Sequence, residues 1–302
     1  MQKSAEQLKK SLESVVGITI TPFSEDDSID EAAYTALVQR CVNAGITVLT
    51  PNGNTSEFYS LSPAERIRSV ELTRQAAPNA IIIAGVGLDS QTAAEETQQY
   101  QDMGVDAVML HQPIHPFWSA EGWIASHREL ASAVPNMPII PYIRSKKITA
   151  SVLKELLEQV PEVLAVKYAI DDPVSFAEVV NLVPQGRATW ICGLAEMWAP
   201  FFAIAGATGF TSGLVSVDPD RSLRMLEALH QKDYVSAMKE QQEIADFEAL
   251  RARNASEMNV TAVKEALGQL GLCSAEVRAP LSRLNSTDRE LVSSILKRWA
   301  VA

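Results

Sequence analysis

Short, nearly all-apolar runs alternate with longer amphipathic segments along most of the 302 residues. The apolar runs are GITIT (17–21), TVLT (47–50), AIIIAGV (80–86), AVML (107–110), PIIPY (138–142), LAVKYA (164–169), TWICG (189–193) and GFTS (209–212). Strands this apolar on both faces suit a parallel sheet covered by helices. Helical spacing marks segments between them, among them 30–45, 62–77, 90–104, 150–160 and 172–183. Ser62-Pro63 and Asp172-Pro173 set a capping side chain before a first-turn proline, and Gly45 and Gly104 close helices. Eight strands, each paired with a helix, predict a (β/α)₈ barrel. The runner-up, a doubly wound open sheet, lacks its G-x-G-x-x-G fingerprint after the first strand. Strand signals stop after about residue 218, while helical patterns continue to the end. The expected organisation is a helix over 1–16, the barrel over 17–230 and a C-terminal helical extension over 231–302 packed on it.

Composition narrows the function classes. Hydrophobic residues make up 47% and charged residues 21%, the balance of a soluble globular enzyme. No apolar run approaches the ~18 residues of a membrane span, and the start, MQKSAEQLKKSLESVV, lacks a signal peptide's apolar core. A net charge of −11 argues against nucleic acid as a partner. Cys41, Cys192 and Cys273 are scattered and odd in number, which points to reduced thiols in a cytoplasm. His111 and His115 have helical ligand spacing, but Pro113 lies between them, so no metal is expected.

In such a barrel the chemistry sits at the C-terminal ends of the strands. The sixth apolar run carries Lys167 near its end. Alternation sets Ala165 and Lys167 on one face and Leu164, Val166 and Tyr168 on the other, which turns the lysine inward. Burial lowers a lysine pKa, and a neutral amine attacks carbonyls. Tyr142, ending the fifth strand, is placed to relay protons. The loop PNGNTSEFYS (51–60) offers the Thr55 hydroxyl and backbone N–H groups to a carboxylate. Plainer readings stand beside these. A strand lysine also snorkels to the rim or pairs with Glu196, Asp171 or Asp172. Tyr142 is equally a half-buried ring, and IRSKK (143–147) a solvated loop.

The ordered set GITITPF (17–23), GNTSEF (53–58), Tyr142, VKYA (166–169), CG (192–193) and VRAPL (277–281) resembles the dihydrodipicolinate synthase / N-acetylneuraminate lyase family over nearly the whole chain. The resemblance implies a Schiff-base lyase that is a homodimer or homotetramer, with no cofactor beyond a covalent imine on Lys167. It makes Lys167 the residue that condenses with pyruvate or another 2-keto acid, Tyr142 the proton relay and Thr55 the carboxylate grip. Gly193 is the glycine after the seventh strand, close to the site.

Departures from the family pattern bear on the substrate. Asn54 replaces the hydroxyl of the usual G-T-T-G-E, and an amide cannot relay a proton as a hydroxyl can. His115 stands where a neighbouring subunit's tyrosine often reaches in. Lys147 occupies the position of the arginine that grips aspartate semialdehyde, and its point charge is not a bidentate clamp. These changes favour a 2-keto-3-deoxy sugar acid, cleaved or dehydrated, with Asn54, Ser56, His115 and the Arg144/Lys146/Lys147 cluster contacting its polyol chain. Dihydrodipicolinate synthase proper, a non-catalytic 2-keto-acid-binding regulator, and an enzyme of phosphorylated sugars using CGLAE and TSGL as phosphate loops are the alternatives.

Overall fold

The computed structural model describes residues 4–300. Eight strands, β1 (Val15–Ile18), β2 (Val48–Thr50), β3 (Ile81–Val86), β4 (Ala107–Leu110), β5 (Ile139–Ile143), β6 (Ala165–Tyr168), β7 (Thr189–Cys192) and β8 (Gly209–Ser212), close in sequence order into a barrel. Helix α1 (Ala5–Ser11) precedes β1. The next eight helices each follow a strand: α2 (Glu31–Asn43), α3 (Pro63–Ala76), α4 (Ser90–Asp102), α5 (Ala120–Ala133), α6 (Ala150–Gln159), α7 (Pro173–Leu182), α8 (Ala195–Ile204) and α9 (Pro219–His230). Three more, α10 (Tyr234–Ser256), α11 (Asn259–Gln269) and α12 (Ser286–Trp299), complete the elements of the described residues. This is the predicted (β/α)₈ barrel with a helical C-terminal extension.

The expected punctuation is in place. The Ser62 side chain accepts the Glu65 N–H and Glu65 returns the bond, while Asp172 caps α7. Gly45 and Gly104 close their helices at φ of 110° and 73°. The N-terminus differs from expectation. The helix read over 1–16 covers Ala5–Ser11, residues 1–3 of it lie outside the described residues, and β1 starts at Val15. Val15 and Val16 are β-branched and buried, and the Phe210 N–H donates to the Ser14 carbonyl, so pairing begins ahead of the glycine. Residues 301–302 of the extension also lie outside the described residues.

The chain packs as two compact units. One holds residues up to Val16 with Ile81–Thr211, and within it β3 to β8 pair in parallel. Its helix-facing core includes Tyr168 of β6 stacked near Phe176 of α7 and Phe202 of α8, with ring centroids 5.1 and 6.1 Å away. The other holds residues 17–80 and the chain from Ser212 on. Its core joins Ile20, Leu37 and Leu214 to Ile244, Phe247, Val263 and Ile295 of the last three helices. Burying that apolar surface fixes the extension to this unit, at roughly 25 cal/mol per Å² removed from water.

Candidate active site

Lys167 is 4% exposed and lies next to last in β6. Its register partner on β5 is Tyr142, so the two side chains leave the sheet on one face. Tyr168 occupies the opposite face, against α7 and α8, which turns Lys167 away from the helices as alternation predicts. The Lys167 Nζ lies 3.9 Å from the centre of the Tyr142 ring. No carboxylate among the described residues pairs with it; the pairings with Glu196, Asp171 or Asp172 do not form. Burial, with the Arg144 charge adding to it, brings the ammonium down to about 7 from the usual 10.5. At neutral pH a large fraction is therefore free amine.

Gly193 follows β7 and donates its N–H to the Tyr168 carbonyl at 2.6 Å. A Cβ here would meet the Ala169 Cβ at 2.7 Å, the Tyr168 carbonyl oxygen at 2.9 Å and the Lys167 Cγ at 3.0 Å. Glycine lets the two chains close up beside the lysine stem without displacing it. The neighbouring Cys192 thiol is buried and pushed up to about 12, which keeps it protonated beside the amine.

Two further side chains surround Tyr142, and strand-end reasoning did not single them out at this place. His111, the first residue after β4, is buried with its ring 5.9 Å from the tyrosine ring, edge to face. Arg144, exposed just after β5, sits with Cζ 6.0 Å from the same ring. Adjacency of β4 to β5 was the available signal for His111; Arg144 was visible only as one cation in a basic loop.

Lys147 is directed elsewhere. Its Nζ donates to the Trp118 carbonyl at 3.4 Å and lies 4.8 Å from a Trp118 ring centre. His115 is exposed, accepts the Phe117 N–H on Nδ1 at 3.1 Å and is edge-on to that phenylalanine. Neither joins Lys167 and Tyr142 within the chain. Among the described residues no cluster of three or more His, Cys, Asp or Glu forms a metal cage.

Asn54, Thr55 and Ser56 form a 3₁₀ turn after β2, in the other unit. Thr55 is 6% exposed and its hydroxyl makes no hydrogen bond among the described residues. Gly213, after β8, has no Cβ to crowd it, since one would lie 3.0 Å from the Thr55 methyl. Ser56 is different. Its hydroxyl is fully buried, donates to the Thr19 carbonyl and accepts the Gly53 N–H at 3.1 Å. Ser56 is thus a loop latch: its one donor is committed and the side chain is fully buried, which sets it against the expected contact with a substrate chain. The next residue, Glu57, sits at φ 62° and holds the buried Lys264 ammonium, a pairing that sequence reading did not detect.

Known proteins supply an independent view. The Dihydrodipicolinate synthetase family model matches residues 11–299. A "Probable 5-dehydro-4-deoxyglucarate dehydratase" of Rhizobium rhizogenes is 28% identical over 300 residues, covering 96% of this chain and 97% of that protein. The 4-hydroxy-tetrahydrodipicolinate synthase of Methanococcoides burtonii is 26% identical, over 94% of this chain and 97% of its own length. The crystal structure of dihydrodipicolinate synthase from Bacillus clausii superposes with a TM-score of 0.94 at 41% identity, covering 97% of this chain and 99% of that one. With a family match from residue 11 to residue 299 and a shared barrel, the chain belongs to the dihydrodipicolinate synthetase family, whose members are lyases.

Proposed function

We propose that the chain is a Schiff-base lyase acting on pyruvate or a 2-keto-3-deoxy sugar acid through Lys167. The observation that carries this reading is a buried strand lysine with no counter-ion, stacked on a tyrosine and brought down to about 7. The neutral amine attacks the keto carbon, and the carbinolamine loses water to give an imine. The protonated imine then accepts the electron pair released when the substrate's C3–C4 bond breaks or a C3 proton leaves. In the second case the C4 hydroxyl departs as water. Tyr142, over whose ring the amine lies, delivers and removes these protons. Hydrolysis of the imine frees the keto acid and restores Lys167. The imine itself serves as electron sink, so the reaction uses no cofactor. In this reading Thr55 grips the carboxylate, an assignment supported by the sequence motif and by its uncommitted hydroxyl.

Incubation with pyruvate and borohydride should add one reduced pyruvyl group to the peptide that holds Lys167. Absence of an adduct across pyruvate and longer 2-keto acids overturns the proposal. A second reading, dihydrodipicolinate synthase proper, is favoured by the name of the 41% identical Bacillus clausii structure. Consumption of aspartate semialdehyde together with pyruvate would select it. Against it, Lys147 replaces the arginine of that activity and is turned onto Trp118.

A further inference from the structure

We propose that Arg144 selects a 2-keto acid bearing a second carboxylate at the far end of its chain. This deepens the imine reading and rests on it. The loop after β5 holds three cations, Arg144, Lys146 and Lys147. Lys147 is engaged by the Trp118 carbonyl and ring. Lys146 lies near enough to Asp172 to help lower that carboxyl's pKa. Arg144 is the cation left facing the reactive lysine's surroundings. Its guanidinium and the Lys167 ammonium both approach the one Tyr142 ring, at 6.0 and 3.9 Å from its centre.

Arg144 is also uncommitted. The chain carries 37 acidic residues, yet no carboxylate among the described residues pairs with it. Its backbone is held in place, because the Arg144 N–H donates to the Gln112 Oε1 at 2.9 Å and β5 ends one residue earlier. A fixed backbone and a free planar fork suit a ligand that brings its own anion. A carboxylate accepts two parallel N–H groups from a guanidinium, whereas a neutral polyol tail offers no compensating charge. A keto acid anchored as an imine on Lys167 would extend past Tyr142 toward this fork. With Lys147 turned onto Trp118, Arg144 is the fork of this loop that a distal carboxylate would meet.

Borohydride trapping tests this with matched probes: pyruvate, 2-oxoadipate, and 2-oxohexanoate, which has the same length without the distal carboxylate. The wild-type protein should reach half-saturation at a concentration about tenfold or more lower for 2-oxoadipate than for 2-oxohexanoate, as a charge-assisted contact implies. Arg144→Gln should bring that ratio close to one while still trapping pyruvate, which also shows that the variant is folded. Lys147→Gln should keep the wild-type ratio. Equal half-saturation for the two long acids in the wild-type protein, or loss of the preference in Lys147→Gln alone, overturns the role of Arg144 and leaves the lyase reading intact. Failure of all three keto acids to trap on Lys167 overturns the lyase reading, and this inference with it.

Discussion

A buried lysine whose charge has no partner is one that the fold holds at a cost. Lys167 moves from an ordinary 10.5 in the unfolded chain to about 7 in the folded one, with burial as the main cause and the Arg144 charge second. Between those values the unfolded chain binds more protons, so the lysine makes stability rise with pH through that window. Below pH 7 its penalty is constant, and above 10.5 it vanishes. Three to four units at about 1.4 kcal/mol each put the penalty near neutrality at roughly 4 kcal/mol. Lys167→Met fills the same space with an apolar chain and should unfold at a higher urea concentration at pH 7. The gap between variant and parent should shrink by pH 9. A gap that stays constant or widens between those pH values would show that Lys167 is not neutralised by folding.

At the level of single elements, the 3₁₀ turn after β2 separates two adjacent hydroxyls into different tasks. Thr55 keeps a free hydroxyl, while the Ser56 side chain ties the Gly53 N–H to the Thr19 carbonyl beyond β1. The Thr21 hydroxyl adds a bond to the Ser56 carbonyl at 2.9 Å. Ser56→Ala leaves those buried partners unpaired and should cost about 1–3 kcal/mol in urea unfolding. Unchanged stability together with an altered preference among 2-keto acids would return Ser56 to the substrate. The strands, by contrast, are legible because eight nearly all-apolar runs need helices on both faces, the missing G-x-G-x-x-G sets the open sheet behind the barrel, and the caps mark the helix starts. Lys167 and Tyr142 could be placed together because strand order and alternation fix both. Loop side chains carry no such periodicity. Nothing in IRSKK distinguishes the arginine that reaches Tyr142 from the lysine that turns to Trp118, since the path of the turn decides it. The start of β1 is hidden in the sequence because two valines continue the apolar face of the helix before them.

Across the whole molecule, sequence-distant segments meet at the loop that carries Thr55. Glu57, in the left-handed region at φ 62°, is 3% exposed. Its carboxylate pairs with Lys264 of α11 and accepts the Arg278 N–H at 3.1 Å. Lys264 also donates to the Glu276 carbonyl at 2.8 Å. Lys264 and the Arg278 guanidinium both lie against the Phe23 ring, 4.0 and 4.1 Å from its centre. Arg278 continues to Glu65 and Asp27, and pairing with it brings the Glu65 carboxyl down to about 2. The VRAPL segment is thereby tied to the second strand's loop. A buried pair of this kind is weak evidence of net stabilisation, but removing one partner strands the other charge. Lys264→Met should therefore cost about 3–5 kcal/mol, because the Glu57 carboxylate is left without a cation in contact. Glu57→Gln combined with Lys264→Met removes both charges at once, and should recover most of that loss in urea unfolding. If the double variant is as unstable as the two single losses added together, Glu57 and Lys264 act separately, and the extension does not hold the Thr55 loop through this pair.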